Sequence, residues 1–154
     1  MIKPKVLFLC SGNSARSQMG EALLRKYAGH ELDVFSAGIE PKGLNPYTVR
    51  VMEEIGIDMS GHRSKSTREY LGRVNFAYLI TVCSEAEEQC PVAFLGISKR
   101  LFWPFEDPAR FEGADQEKLA KFRQVRDQID AKIKAWLVEL NVPIEGSHAV
   151  QTPA

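Results

Sequence analysis

Residues 10–17 combine side-chain types that suit the capture of a tetrahedral anion and nucleophilic attack on it. The segment begins with Cys10 and continues with small and polar residues to an arginine and a serine: Ser11, Gly12, Asn13, Ser14, Ala15, Arg16 and Ser17. Successive amides of such a loop can turn inward and, with the N-terminus of a following helix, bind an anion. The planar guanidinium of Arg16 can hold two of the anion's oxygens. These groups favour a thiolate on Cys10, and Ser17 can donate a hydrogen bond to its sulfur. We therefore expect a substrate-binding loop with Cys10 as its nucleophile.

The pattern around this segment predicts a strand before it and a helix after it. Residues 6–10 form a continuous apolar run, which is typical of a strand buried on both faces of a parallel sheet. Further on, Met19, Leu23 and Tyr27 recur every four residues, and Gly29 is placed to end the helix. A buried cysteine followed by an ordinary loop is the alternative. Ligands bind at the carboxyl ends of strands in open α/β sheets, however, and this context favours the functional interpretation.

The rest of the chain alternates predicted strands and helices, which implies βαβ units and a parallel sheet. Further strands are predicted at residues 32–37, 76–83 and 99–102. Helices are predicted from the N-cap Asn45 to Ile55, from Ser66 to Leu71, from Ser84 towards Pro91, and from Asp115 through Leu140. We predict an α/β fold in which a four-stranded parallel sheet is flanked by helices. Residues 1–140 should form a single catalytic domain, and residues 141–154 a flexible C-terminal tail.

Charge and hydropathy exclude several classes of function. Lys plus Arg and Asp plus Glu both number 20 among 154 residues, so no global positive field attracts nucleic acid. No stretch approaches the roughly 18 apolar residues of a membrane span, and the apolar run at residues 6–10 is too short for a signal peptide. We expect a cytoplasmic protein that binds neither nucleic acid nor membranes. In that compartment its three cysteines should be catalytic or redox-active.

Residues 10–17, together with Asp107-Pro108, resemble the low-molecular-weight protein tyrosine phosphatases and the arsenate reductases that share their fold. The resemblance covers roughly residues 5–140 of the chain. It implies that Cys10 is the nucleophile, that Arg16 binds the oxyanion and that Asp107 is the general acid. An Asp-Pro pair that only starts a turn is the alternative for Asp107.

The two branches of this family share the attack on an anion and differ in how the adduct is resolved. A phosphatase hydrolyses a phosphocysteine with water, whereas an arsenate reductase uses a second and a third thiol. Cys83 and Cys90 are available for that purpose, although inert buried cysteines are the alternative. Cys83 follows a predicted strand, so its thiol should emerge at the same edge of the sheet as Cys10. After the Asp-Pro pair, Ala109-Arg110 offers no aromatic ring on which a phenyl group could stack.

The resemblance therefore favours an arsenate reductase with a disulfide relay. Cys10 attacks arsenate, Cys83 releases arsenite by forming a disulfide with Cys10, and Cys90 then takes over that disulfide. Thioredoxin is the implied reductant, a low-molecular-weight thiol stays open, and no cofactor or metal is required. The alternative enzyme is a phosphatase for phosphotyrosine or a small phosphoester. The non-enzymatic alternative is an oxyanion sensor or a redox-controlled binding module.

The spacing of Cys83 and Cys90 predicts a conformational change. Seven helical residues span about 10 Å, whereas the Cα atoms of a disulfide lie about 4.4–6.8 Å apart. Residues 83–91 would therefore have to unwind, and our hypothesis is an order-to-disorder switch that carries oxidising equivalents to the surface.

Metal binding is not expected. Thioredoxin-coupled reductases often have a potassium site at positions that match Asn13, Glu21, Ser36 and an aspartate, and Lys65 stands at the position of that aspartate. Its ammonium can fill the role of the cation. The three histidines, His30, His62 and His148, lack metal-ligand spacing and suit solvated or structural roles.

Overall fold

The sheet has four parallel strands, as the sequence predicts. A computed structural model of the chain describes residues 2–70, 72–84, 86 and 99–145. Its strands are β1 (Lys5–Cys10), β2 (Asp33–Gly38), β3 (Tyr78–Thr81) and β4 (Lys99–Phe102). They pair in the order β2-β1-β3-β4, and every pairing is parallel. The first strand is therefore central, and its carboxyl end is flanked by the ends of two neighbours.

Three α-helices and two short 3-10 helices accompany the sheet in the described residues. They are α1 (Arg16–Ala28), α2 (Pro46–Glu53), α3 (Asp115–Glu139) and the 3-10 helices Thr67–Glu69 and Pro108–Arg110. The side chain of Asn45 caps α2 by accepting a hydrogen bond of 2.8 Å from the Tyr47 amide, as its sequence position predicts. At the start of α3, the backbone amide of Ala114 donates a hydrogen bond to the side chain of Glu117. This is one of the two hydrogen bonds that make up a capping box.

Several predicted boundaries differ from the structure. β3 is shorter than the predicted 76–83 at both ends: it begins at Tyr78, and its last paired residue is Thr81, after which Cys83 forms a bend. Helix α2 ends before the predicted Ile55, in a turn that leads to Gly56 with a φ of +81°. Ser66 caps a single 3-10 turn instead of a longer helix, because Gly72 and the chain beyond it turn back towards β3. The helix expected between Ser84 and Pro91 falls largely on residues outside the described part of the chain.

The core lies on both sides of the central strand. Residues 6–10 of β1 are all buried, which explains their continuous apolar sequence. On one side α3 packs against α1 and α2, where Tyr47 stacks on Phe122 with ring centroids 5.3 Å apart. Trp136 of α3 also meets Trp103 edge-on at 5.5 Å. The long helix thus covers the sheet and stabilises the strands that carry the loop.

The described residues beyond α3 lie against the domain. The amide of Glu145 donates a hydrogen bond of 2.8 Å to the carbonyl of Tyr27 in α1. Val142 and Ile144 pack against the core, although both belong to the segment predicted as a tail. None of the helices in the described ranges is long and apolar enough to cross a membrane.

Candidate active site

Cys10 occupies the carboxyl end of the central strand, and its sulfur is surrounded by hydrogen-bond donors. The Cys10 Sγ lies 2.9 Å from Ser17 Oγ and accepts a hydrogen bond of 3.2 Å from the Asn13 amide. Only 3% of the residue is exposed. Hydrogen bonds of this kind stabilise a thiolate relative to a thiol. The contact with Ser17 predicted from the sequence is thus present.

The carbonyls of the loop are held outward by the segment that follows β2. The amides of this segment donate to loop carbonyls in four pairs: Ile39 to Cys10, Glu40 to Ser11, Lys42 to Gly12 and Asn45 to Ser14, at 2.8–3.2 Å. The hydroxyls of Ser64 and Thr48 donate to the carbonyls of Gly12 and Ser14. Since these carbonyls point away from the loop centre, the centre is left to amides, and this is the arrangement that binds an anion.

Asn13 fixes the conformation of the loop from inside. Its φ of +49° lies in the left-handed region, which asparagine tolerates better than most residues. Its fully buried side chain donates to Ser17 Oγ at 2.8 Å and to Ser36 Oγ at 3.0 Å. Its Oδ1 accepts from the Lys65 amide at 2.8 Å. Gly38 makes room for this turn, because a Cβ there would lie 2.8 Å from the Asn13 nitrogen.

Arg16 connects the loop to the segment that contains Asp107. The guanidinium donates to the carbonyl of Phe105 at 3.0 Å and lies 3.5 Å from the Asp107 carboxylate. The other carboxylate oxygen accepts from the Ala109 amide at 3.0 Å, and Arg110 approaches the group at 3.6 Å. The predicted turn-starting role and a position at the site therefore both hold for Asp107.

These elements enclose a pocket of about 220 Å³ above the Cys10 sulfur. Its lining residues are Cys10, Ser11, Gly12, Ser14, Ala15, Arg16, Lys42, Asp107, Ala109 and Arg110. Most of the predicted loop residues therefore line one cavity together with Asp107. Asn13 and Ser17 are buried behind it and act on Cys10 through hydrogen bonds.

A second thiol lies beside the pocket. Cys83 is 1% exposed, and its sulfur accepts a hydrogen bond of 3.4 Å from the Ala86 amide. Burial raises the pKa of the Cys83 thiol; the Ala86 amide and the charge of Arg16 oppose this effect, and the charge of Cys10 adds to it. Cys83 lines a cavity together with Arg16 and follows the strand that pairs with β1, so it lies at the same edge of the sheet as Cys10, as its strand position predicts. Both cysteines are free, and Cys90 lies outside the described residues.

A buried lysine supplies the cation behind the loop. Lys65 Nζ lies 3.4 Å from Glu21, 3.2 Å from Ser36 Oγ and 2.9 Å from the Arg63 carbonyl. Burial raises the pKa of Glu21, but Lys65, Ser36 and Arg25 outweigh burial and hold it below its usual value. Two of the positions expected for potassium ligands, Glu21 and Ser36, are therefore already bonded to an ammonium, which does not fit an additional metal cation at the same place. Elsewhere in the described residues, no group of three His, Cys, Asp or Glu side chains could hold a metal ion.

Sequence reasoning missed the hydrogen-bond chain that extends from the loop to His62. Gln18 donates to Asn13 Oδ1 at 3.0 Å and to the Arg63 carbonyl at 2.8 Å, and its Oε1 lies 3.1 Å from His62 Nδ1. Burial lowers the pKa of His62. Arg63 and His62 lie 45 and 44 residues from Gln18 in sequence, so no local pattern could have revealed these two contacts.

The fold and the site together define an enzyme class in which a cysteine in an anion-binding loop attacks a tetrahedral oxyanion. Residues 5–145 match the family described as low molecular weight phosphotyrosine protein phosphatase, and the chain belongs to that family. Within it, the chain is similar to arsenate reductases. One from Halalkalibacterium halodurans is 47% identical over 137 residues, which cover 88% of this chain and 96% of that protein.

Among solved structures, the chain is also similar to arsenate reductases. The structure of an arsenate reductase in the phosphate-binding state has a TM-score of 0.73 at 28% identity and covers 88% of this chain and 98% of that one. A thioredoxin-dependent arsenate reductase from Corynebacterium glutamicum has a TM-score of 0.66 at 28% identity; the match covers 90% of this chain and 62% of that one. The resemblance predicted from residues 10–17 is therefore confirmed.

Proposed function

We propose that this chain is an arsenate reductase that converts arsenate to arsenite through Cys10, Cys83 and Cys90. One observation carries the proposal: a second buried thiol, Cys83, follows the strand paired with that of the nucleophile and lines a cavity together with Arg16. A phosphatase needs no such thiol, whereas a reductase cannot complete its reaction without one. The similarity to arsenate reductases over 88% of the chain supports the same assignment.

In the first step, arsenate binds in the pocket and the Cys10 thiolate attacks arsenic. Inward amides and the guanidinium of Arg16 neutralise the charge of the anion. A sulfur–arsenic bond forms, an arsenic–oxygen bond breaks, and Asp107 gives its proton to the departing oxygen, which leaves as water. The 3.5 Å contact of Arg16 with Asp107 supports these two roles, because it brings both side chains to the same pocket.

In the second step, the thiolate of Cys83 attacks the sulfur of Cys10. A disulfide forms, and the electron pair of the sulfur–arsenic bond passes to arsenic, which is reduced from the pentavalent to the trivalent state and leaves as arsenite. Cys83 needs to lose a proton for this attack. The nearby Arg16 guanidinium favours that loss and opposes the effect of burial.

In the last step, Cys90 attacks Cys83 and releases Cys10 as a thiolate. An external dithiol then reduces the Cys83–Cys90 disulfide. Thioredoxin is the proposed donor, because one structural relative is thioredoxin-dependent. We place the reaction in the cytoplasm, where such dithiols are kept reduced.

The test is arsenate-dependent oxidation of NADPH in the presence of thioredoxin and thioredoxin reductase. We expect steady turnover with the unmodified chain and none with Cys10→Ser or Cys83→Ser. The Cys83→Ser variant should still form one adduct per chain and should keep any hydrolysis of p-nitrophenyl phosphate. Full turnover by Cys83→Ser would contradict the proposed relay.

Phosphatase activity is the second candidate, because the matching family is described by that activity and one structural relative is in a phosphate-binding state. Against it, none of the residues that line this pocket is aromatic; Phe105 and Phe111 line the adjoining cavity, which also contains Cys83. We therefore expect phosphoester hydrolysis to be a slow side reaction. Strong aryl phosphate hydrolysis without arsenate reduction would reverse this order.

A further inference from the structure

The pocket carries more positive charge than the anion loop itself provides. Among its lining residues, Arg16, Lys42 and Arg110 are cations, and Asp107 is the only carboxylate. Arg16 belongs to the loop, but Lys42 comes from the segment after β2 and Arg110 from the 3-10 helix after Asp107. Two further cations thus border the pocket from two separate segments of the chain.

The position of Lys42 is fixed by the loop. Its amide donates a hydrogen bond of 2.9 Å to the carbonyl of Gly12. Its aliphatic stem lies against the same residue, since a Cβ added to Gly12 would come within 3.3 Å of Lys42 Cδ. An ordinary surface lysine has neither restraint. The glycine therefore lets the lysine stem lie close to the anion loop.

Arg110 is held on the other side by the proposed acid. Its Nε lies 3.6 Å from Asp107 Oδ2, the same oxygen that Arg16 approaches at 3.5 Å. One carboxylate thus lies between two guanidiniums. Because Arg110 lines the same pocket as Arg16, it lies beside an anion that is bound there.

The balance of charge explains why two extra cations are useful. A Cys10 thiolate and a doubly ionised oxyanion bring three negative charges into one small pocket, and Arg16 neutralises one of them. Lys42 and Arg110 supply two further positive charges at the rim of the same pocket. Since both lie at the solvent-exposed rim, their effect is on long-range attraction and affinity more than on the bond-making step.

We propose that Lys42 and Arg110 are specificity-determining residues that select a doubly charged inorganic oxyanion for the loop. This inference rests on the proposed function, because it concerns the substrate of the same site. It adds two residues outside residues 10–17 to the oxyanion-binding machinery.

The experiment measures the dissociation constant of inorganic phosphate by titration calorimetry on the fully reduced chain, at low ionic strength and fixed pH. Lys42→Gln and Arg110→Gln should each bind phosphate about three- to tenfold more weakly, and their affinities should depend less steeply on salt. Lys42→Arg should restore the affinity. Lys99→Gln is the matched control, because Lys99 is an exposed cation at the amino end of β4, away from the pocket.

The same variants are then assayed for arsenate reduction. For Lys42→Gln the loss should fall on KM, whereas Arg110→Gln should also lower kcat because Arg110 contacts Asp107. Phosphate binding equal to that of the unmodified chain in both variants would overturn the rim proposal, even with arsenate reduction intact. Weakened phosphate binding by both variants of a chain that reduces no arsenate would overturn the proposed function and support the role of Lys42 and Arg110 in anion binding.

Discussion

Replacing Lys65 by methionine tests whether a buried ammonium holds the floor of the anion loop in place. Methionine keeps the length and apolar stem of the side chain and removes only the charge and its hydrogen bonds. The side chains of Lys65 and Glu21 are 9% and 7% exposed, so their ion pair is largely removed from water. Loss of the ammonium leaves the Glu21 carboxylate buried with fewer partners.

The expected cost follows from what remains around Glu21. Breaking a buried ion pair costs about 3–5 kcal/mol when the other charge is left without compensation. Here Arg25 still pairs with Glu21 and Ser36 still donates to it. We therefore expect the free energy of unfolding to fall by about 2–3 kcal/mol, which lowers Tm by roughly 4–12 °C in a chain of this size.

Thermal unfolding in sodium chloride and in potassium chloride at equal ionic strength is the assay. The unmodified chain should have the same Tm in both salts, because an internal ammonium makes a bound potassium ion unnecessary. Adding Glu21→Gln to Lys65→Met should recover most of the loss, since it removes the uncompensated charge. Lys26→Met, at an exposed lysine of α1, is the control for losing a positive charge. A Tm of the unmodified chain that rises specifically in potassium, or a Lys65→Met variant as stable as the control, would refute the reasoning.

Three further predictions concern the loop and its second thiol. Gly38→Ala should destabilise the chain by about 1–3 kcal/mol in urea unfolding, since the new Cβ would lie 2.8 Å from the backbone of the loop. Gly61→Ala is the control and should have little effect, because no atom lies within 4 Å of a Cβ placed there. Equal losses of stability in the two variants would contradict this. Ser17→Ala removes the 2.9 Å contact with the Cys10 sulfur, so alkylation of Cys10 by iodoacetamide at neutral pH should slow about tenfold; an unchanged rate would show that Ser17 does not stabilise the thiolate. Burial raises the pKa of Cys83, so little of this thiol is ionised at neutral pH. In a Cys90→Ser variant, the single-turnover rate of Cys10–Cys83 disulfide formation should therefore rise with pH, about tenfold per pH unit below that pKa. A rate that does not change between pH 7 and 9 would contradict this.

The sequence predicted the elements whose signals are local. The apolar run of β1 and the four-residue spacing of α1 are set by burial of neighbouring residues, so both could be recognised without the fold. The residues of the anion loop were recognisable for the same reason, because their types and order are contiguous. Lys65 could be named as an internal cation only through the family resemblance.

Contacts between distant segments could not be predicted in this way. The hydrogen bonds that hold the loop carbonyls come from residues 39–45, and the amides that donate them carry no side-chain signature. In the sequence, Lys42 and Arg110 are far apart and belong to no common motif. Only the folded chain places both residues at one pocket. The boundary of β3 was missed because Val82 and Cys83 are as apolar as the strand, although pairing with β4 ends at Thr81.

The parallel pairing of β1 with β3 has a consequence for the chemistry of the two thiols. Leu9 is in register with Thr81, and the Val82 amide donates to the Leu9 carbonyl at 2.9 Å, so each cysteine follows the ladder by only one or two residues. Adjacent strands lie about 4.8 Å apart, within the range of about 4.4–6.8 Å that the Cα atoms of a disulfide require. The backbone ladder, which no side-chain substitution removes, therefore sets how far the backbone of Cys10 lies from the backbone of Cys83.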